Sequence, residues 1–418
     1  MTPLVLSLRE GQTVARPLPG PVREALAAGT HTAAALEDAA RASAGASGVV
    51  QLHLCLGQYA RLGILDRTLI AEGRRCVTVE GPWRFTSDSA APLREDARYR
   101  LSRFALLRRD GDACVLESPR TRLRLVLHDA RAAALVGLLA VPREPRECAR
   151  PLLDLLAGLT LAVPVDDRGA GVEESTPPID AWRLDEMVLH ARSRCPSGGP
   201  VIGGTFRFRG TLPPAPALKA PMSAGVLPLD RPELHVPPGG EVPRSAPMAR
   251  RQLGEILYRA RVRSTLEATS DNGRSYDTTN RPYPSGGAAH ELEIYVVARG
   301  CGDLADGLYH YDPAAHALER LPDPDGSIVG GSAPVRLAIT SRFQRRSWKY
   351  EGIAYANTLR GLGVLCETLR LAAASTGVAS RAVEVEPGHR LARLAGLDPE
   401  AEDVVGGFEL GDPAMERV

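Results

Sequence analysis

The sequence predicts an α+β protein. Three observations carry this. Helix-spaced apolar stretches and strand-like alternation interleave through the first 165 residues, proline and glycine crowd the stretch from about 168 to 240, and strands interspersed with long helices return from 241 onward. The 418 residues suffice for about two to four domains. Four segments are expected: 1–88, 97–167, 168–240 and 241–418.

Residues 20–80 read as helix, helix, hairpin. Thr32 is placed to cap a helix over Ala33–Ala44, and Val50, Leu54, Leu56 and Leu62 have helical spacing. ILDRTLI and RRCVTVE then alternate like two strands around a turn. Two helices and a wing outline a winged helix-like module. Its second helix offers only Gln51, His53, Gln58 and Arg61 toward phosphates, and Lys+Arg (51) nearly balances Asp+Glu (50). Nucleic acid is therefore not the expected partner.

A second such module is expected over 97–167. YRLSRFALLRR, DACVLES and RLRLVLH read as strands, with the turn Asp110-Gly111 between the first two. Helices near Ala130–Ala140 and Arg146–Leu159 follow, and LAVPV closes the segment as a strand. Segment 168–240 reads as an extended connector arm with one helix, AWRLDEMVLHARSR. In the last segment a helix over about Ala249–Ser264 is expected to precede a polar loop, SDNGRSYDTTN. The strands ELEIYVVAR, GLYHYDP, HALERL and APVRLAITSRF come next, then the long helix YANTLRGLGVLCETLRLAAAST. Gly361 and Gly363 would let a neighbouring backbone approach that helix. Its stripe Leu359, Leu362, Leu365, Leu369 reads as helix core or dimer interface.

The seven cysteines are scattered and never spaced as CxxC, which fits a reducing cytoplasm better than a disulfide framework. No signal peptide is expected, and the longest apolar run, Ala132–Val141, is too short for a bilayer. His290, His310 and His316 lack metal-ligand spacing and are expected to be structural or solvent-facing. Cys301 and Cys366 have no base nearby in sequence to make them nucleophiles. Of the basic residues only Lys219 and Lys349 are lysines. Against so strong an arginine bias, each retained lysine raises the question of what keeps it there.

RPYPSGGAAHELEIYVV, GLYHYDPAAHALERL, SWKYEGIAYANTLRGLG and GLDPEAEDVVGGFELG occur in that order, with LSRFALLRRDGDACVLESP, WRLDEMVLHARSR, GGTFRF and PPAPALKAP upstream. This ordered set resembles the SagB-type peptide dehydrogenases, or azoline oxidases, of the nitroreductase superfamily, from about Tyr99 onward. The resemblance implies a C-terminal nitroreductase-like domain that binds FMN at the interface of a dimer, homo or hetero. It implies that the winged-helix-like modules clamp a peptide. The implied reaction oxidises thiazoline or oxazoline rings to thiazoles or oxazoles in a ribosomally made precursor peptide, after a cyclodehydratase has formed the rings.

The resemblance also implies roles. Lys349 and Tyr350 match the family's catalytic Lys-Tyr pair. Aromatising an azoline removes a proton and a hydride, and a lysine serves as the base only if burial or a nearby cation lowers its pKa. Arg345 and Arg346 lie close enough in sequence to be that cation. Pro284, Ser285, Gly286 and Gly287 match the loop beside the flavin ring, where glycine admits a close backbone approach. Arg244 and Ser245 stand where the family grips the FMN phosphate with an Arg-Arg-Ser-x-Arg string, here flanked by Pro243 and Pro247. That substitution, the short loop LPDPDGSIVGGSAPV, the glycine-poor STGVASRAVEVEPGHRL and Glu367 in place of a usual Gln support a rival expectation. In it the chain is a non-catalytic subunit that binds peptide beside an active dehydrogenase or cyclodehydratase. A related flavin oxidoreductase acting on another peptide bond is a third.

Overall fold

The hydroxyl of Thr32 accepts a hydrogen bond from the Ala35 N–H at 3.2 Å and caps a helix where the sequence predicts one. The computed structural model describes residues 4–9, 22, 24, 26, 31–83, 93–121, 123–194, 204–206, 208–223, 225–231, 248–269, 275–323, 333–383 and 389–411. It divides into two units, Met1–Ile202 and Gly203–Val418.

The first unit opens with β1 (Leu4–Leu8) and β2 (His31–Thr32), followed by α1 (Ala33–Leu62). α1 is two helical stretches, broken where Ala44 leaves helical geometry and Gly45 takes φ 62°. β3 (Leu65–Ala71) and β4 (Arg74–Glu80) form the expected hairpin. β5 (Arg98–Leu101), β6 (Leu106–Asp110), β7 (Ala113–Glu117) and β8 (Arg124–Leu127) follow, then α2 (Ala130–Leu138), α3 (Arg150–Gly158) and β9 (Ala162–Val165), which returns to pair with β5. One seven-stranded sheet, ordered β2-β1-β3-β4-β8-β7-β6, takes strands from both expected segments and joins them at β4–β8, Val77 opposite Leu127. Leu36, Leu52 and Leu56 of α1 bury against Leu6 and Leu65, while Leu153 and Leu156 of α3 bury with Leu116 and Leu125.

The first part of the expected arm packs into this unit. In α4 (Val172–Ser175) the side chain of Glu173 is fully buried. It accepts hydrogen bonds from the Ser102 hydroxyl at 2.7 Å and the Arg103 N–H at 3.0 Å, and it pairs with Arg120. From α5 (Leu184–Arg194), Arg192 pairs with Glu117, which Arg108 also reaches at 2.8 Å.

The second unit contains β10 (Val226–Pro228), α6 (Arg250–Leu257) with a 3-10 turn over Tyr258–Ala260, β11 (Ser264–Thr269) and β12 (Ser275–Asn280). It continues through β13 (Leu292–Ala298), β14 (Gly307–Asp312), β15 (Ala317–Leu321), β16 (Val335–Arg342) and α7 (Phe343–Ser347). It ends with α8 (Ala354–Ser375), β17 (Ser380–Val383), α9 (His389–Ala395) and β18 (Glu402–Leu410). The main sheet is antiparallel throughout, ordered β10-β15-β14-β13-β16-β18-β17. Every residue of β13 is buried. Leu292, Ile294, Val296 and Ala298 share a core with Leu253 and Ile256 of α6 and Leu365 and Leu369 of α8, while Tyr295 and Val297 pack with Leu391 of α9.

Three expectations need correction. The first helix of this unit ends at Leu257, because Arg261 turns extended after the 3-10 turn and the chain enters β11. The polar stretch expected as a loop holds β12, paired with β11 from Ser264 opposite Asn280 to Thr269 opposite Ser275. Backbone pairing outweighs side-chain polarity there. The close backbone approach expected at Gly361 and Gly363 is absent from both, since the atoms nearest a β-carbon at Gly361 would be side-chain atoms of Arg346, Glu291 and Leu292, at 3.6–3.9 Å. A β-carbon at Gly363 would meet nothing within 4 Å, whereas one at Gly406 of β18 would lie 2.6 Å from the Leu362 side chain.

Candidate functional site

The pairing of β13 with β16, Leu292 opposite Ser341, sets the loop that precedes β13 beside the helix that follows β16. The ladder runs one step further, as the Arg342 N–H donates to the Glu291 carbonyl at 3.0 Å. Pro284-Ser285-Gly286-Gly287 and Trp348-Lys349-Tyr350, more than 60 residues apart in sequence, thereby become neighbours. The Lys349 ammonium donates to the Gly287 carbonyl at 3.3 Å.

Two buried arginines of α7 hold this junction. Arg346, 1% exposed, forms an ion pair with Glu291, also 1% exposed, at 2.6 Å. It further donates to the Gly286 carbonyl at 2.7 Å and the Ser285 hydroxyl at 3.1 Å. Ser285 in turn accepts the His290 N–H at 3.1 Å. Arg345, 0% exposed, donates to the carbonyls of Ala289 and Ala215, each at 2.9 Å, and to that of Asp277. A buried guanidinium is tolerable only when its donors are satisfied in this way. The result is a rigid seat for the residues that follow.

The glycines are crowded from one side and open on the other. Gly286 and Gly287 are exposed. A β-carbon at Gly286 would lie 2.6 Å from Nη1 of Arg346. One at Gly287, where φ is +62°, would lie 2.4 Å from Nζ of Lys349 and 2.5 Å from the Tyr350 hydroxyl. The cations of this chain thus already occupy the space behind the loop.

Aromatic side chains surround the amine. The rings of Phe206, Tyr276 and Tyr350 have centroids 5.4, 5.4 and 5.6 Å from Nζ. Tyr276 stacks on Trp348 at 5.2 Å, with the rings 4° apart, and the Trp348 indole N–H donates to the Leu212 carbonyl at 2.8 Å. Burial, then the guanidiniums of Arg346 and Arg345, push the half-buried Lys349 amine below its ordinary pKa. Burial also raises the Tyr276 phenol.

Several sequence candidates lie elsewhere. Arg244 and Ser245, with Pro243 and Pro247, fall outside the described residues. His290, His310 and His316 are buried structural histidines. His290 contacts Thr279 and the Tyr283 carbonyl, His310 lies between Glu319 (2.8 Å) and Glu293 (3.5 Å), and His316 meets the Tyr311 hydroxyl at 2.9 Å. Among the described residues no three His, Cys, Asp or Glu side chains converge to hold a metal. The second lysine, Lys219, pairs with Glu402 at 2.5 Å and donates to the Tyr295 hydroxyl at 2.6 Å. Phe206 and Tyr276 were not among the candidates. Tyr276 stands in a polar stretch that reads as a loop, with only its β-branched threonines hinting at a strand, and Phe206 stands in GGTFRF, a block that carries the resemblance but names no role for its ring.

Residues 244–412 match the nitroreductase family, and residues 99–197 match the cyanobactin oxidase ThcOx. The chain is 26% identical over 149 residues to a protein of Methanocaldococcus jannaschii named as a candidate nitroreductase, a match covering 33% of this chain and 70% of that protein. A solved nitroreductase-like structure from Anabaena variabilis is similar at 24% identity and TM-score 0.35, covering 40% of this chain and 36% of the other. The chain therefore spans little more than a third of that protein. The Escherichia coli microcin synthetase McbBCD complex, solved with truncated pro-MccB17 bound, is similar at 21% identity and TM-score 0.33, covering 43% of this chain and 70% of the other. The second unit thus carries a nitroreductase-family domain, and the two family matches together support an oxidoreductase. Among the described residues no helix is long and apolar enough to cross a membrane.

Proposed function

We propose that the chain is an FMN-dependent dehydrogenase of thiazoline or oxazoline rings in a ribosomally synthesised, post-translationally modified peptide. The observation that carries this reading is the half-buried Lys349 amine, hydrogen-bonded to Gly287 and backed by two buried arginines. The match to a cyanobactin oxidase supports the peptide class.

The described residues fit a flavin. Gly286 and Gly287 leave one side of their loop open, and the donors beside them, Lys349 and the Tyr350 hydroxyl, suit a ring that gains negative charge. Pro284, Ser285, Gly286 and Gly287 would face that ring, and Arg244 and Ser245 would hold its phosphate. When bound, FMN supplies the hydride acceptor.

The chain supplies the proton chemistry. The azoline α-carbon is acidified by its neighbouring C=N and carbonyl. Lys349 would take that proton at Nζ, which requires the neutral amine. Burial and the adjacent guanidiniums favour that form. Tyr350 would orient the amine or the ring through its hydroxyl. The aromatic walls would exclude water and seat a flat heterocycle. In this reading the first unit binds the precursor peptide, a cyclodehydratase supplies the rings, and the working form is a dimer.

The test is incubation of the purified chain, FMN and an azoline-bearing peptide, read by mass spectrometry. Loss of two hydrogens per ring is expected. Unchanged peptide, with FMN bound, would favour the non-catalytic subunit. Arg244→Ala should lower FMN affinity about 10- to 150-fold, the worth of one charged hydrogen bond at roughly 1.5–3 kcal/mol.

A further inference from the structure

Residues 204–206 lie against the turn that bears the lysine. Gly204 forms an antiparallel bridge with Tyr350, and the Phe206 N–H donates to the Lys349 carbonyl at 3.1 Å. This contact delivers the Phe206 ring to within 5.4 Å of Nζ. The ring also meets Trp348 edge-on at 5.7 Å and Tyr276 edge-on at 6.4 Å. Gly204 is needed for the approach. A β-carbon there would lie 3.1 Å from the Phe206 ring and 3.3 Å from Cγ of Lys349.

Phe206 adopts φ +49°, a left-handed conformation that bulky side chains rarely take. Such a conformation persists only where the surroundings hold it, and it clusters at working sites. Here the main-chain bond to Lys349, a second from the Arg209 N–H to the Phe206 carbonyl at 2.8 Å, and the aromatic packing hold it. Together Gly204 and Gly287 form a slot, Gly204 against the lysine stem and Gly287 against its tip, with Phe206 along one side.

We propose that Phe206 is the positioning residue for Lys349: carried over the turn by residues 204–206, it holds Nζ in the slot against Gly287 and screens it from water. The screening is part of what keeps the amine ready to accept a proton. Other charges also act on Nζ. Arg345 and Arg346 face it from α7, though Arg346 is tied to Glu291 and Arg345 approaches Asp277 at 3.5 Å. The phenols of Tyr276 and Tyr350 flank it, and the Arg209 guanidinium lies 4.8 Å from the Phe206 ring. None of these is removed by changing Phe206. Loss of its ring forfeits some attraction for the ammonium, but two rings remain, so readmission of water dominates and the proton affinity rises.

The proposal rests on Lys349 as the working amine, yet it is read on the amine itself. The full-length chain is acetylated with trace acetic anhydride over a pH series, and the Lys349 and Lys219 peptides are quantified by mass spectrometry. Phe206→Ala should raise the Lys349 labelling midpoint by about one pH unit. Phe206→Leu, which refills the slot with apolar bulk, should leave it unmoved. Lys219, held by Glu402 and Tyr295, reports an intact unit by staying poorly labelled. An unmoved midpoint in Phe206→Ala overturns the proposal, and so does an equal rise in Phe206→Leu. Where Phe206→Ala exposes Lys219, Gly204→Ala decides instead. Its methyl displaces the ring and the lysine stem, so the midpoint must rise, and an unmoved midpoint overturns the proposal. Failure of the azoline reading would leave these labelling results standing.

Discussion

Gly287→Ala should cripple turnover while leaving the fold largely intact. The new β-carbon would lie 2.4 Å from Nζ of Lys349 and 2.5 Å from the Tyr350 hydroxyl. Both are ends of side chains and can move aside, but Nζ must retreat by about 1 Å to reach ordinary contact. The retreat breaks its hydrogen bond to the Gly287 carbonyl. Misplacing a reacting group by that much costs roughly 100-fold in rate. The left-handed φ of +62° adds about 1–2 kcal/mol of backbone penalty, or roughly 2–8 °C in Tm for a unit of this size. Gly286→Ala provides the contrast. Its β-carbon would lie 2.6 Å from Arg346, which Glu291, Ser285 and the Gly286 carbonyl hold in place. That guanidinium cannot retreat, so Gly286→Ala should cost mainly stability. The assay is azoline turnover at saturating FMN with a thermal melt of each protein. Turnover of Gly287→Ala within about twofold of the parent would refute the crowding argument.

Glu291→Gln leaves the buried Arg346 charge without its counterion. It should destabilise the second unit by about 3–5 kcal/mol, or roughly 6–20 °C, read by thermal melting. His310 bears on the pH dependence of stability. Burial works against its charge, but Glu293 and Glu319 outweigh that and raise its pKa above 6.5. A raised folded value means that the stability from the charged form is complete below about pH 6.5 and is lost as pH rises through the folded value. His310→Gln should flatten that alkaline decline in melts between pH 6 and 9, and an unchanged slope would remove His310 as its source.

Local patterns were legible wherever one segment sufficed to define them. The Thr32 cap, the hairpin β3–β4 and the helices of 98–165 follow from alternation, helical spacing and turn residues. YRLSRFALLRR, read as one strand, is instead broken between Leu101 and Leu106 into β5, which pairs with β9, and β6, which pairs with β7. The Lys349-Tyr350 and Pro284–Gly287 candidates were visible as short motifs, and the structure brings them together. Long-range pairing was not visible. The junction of β4 with β8 and the return of β9 to β5 depend on register between distant segments, for which alternation is silent. The same holds for Phe206, which reaches Lys349 through a main-chain bond that any residue type could make. Glycine was read as room for a ligand, and at Gly287 it also makes room for the chain's own lysine and tyrosine. Arg345 and Arg346 were read as a nearby charge. They also knit four segments through carbonyls, the Ser285 hydroxyl and the carboxylates of Glu291 and Asp277.

The central claim is that the Lys349 amine removes a proton from an azoline while FMN takes the hydride. The most direct measurement is bleaching of the flavin absorbance when an azoline peptide is mixed, without oxygen, with the FMN-loaded chain. The parent should bleach once per ring oxidised. Lys349→Ala should carry the same amount of flavin and bleach roughly 100- to 10,000-fold more slowly. Lys349→Arg should be as slow, since a guanidinium keeps its proton. Bleaching of Lys349→Ala at the parent's rate would contradict the account.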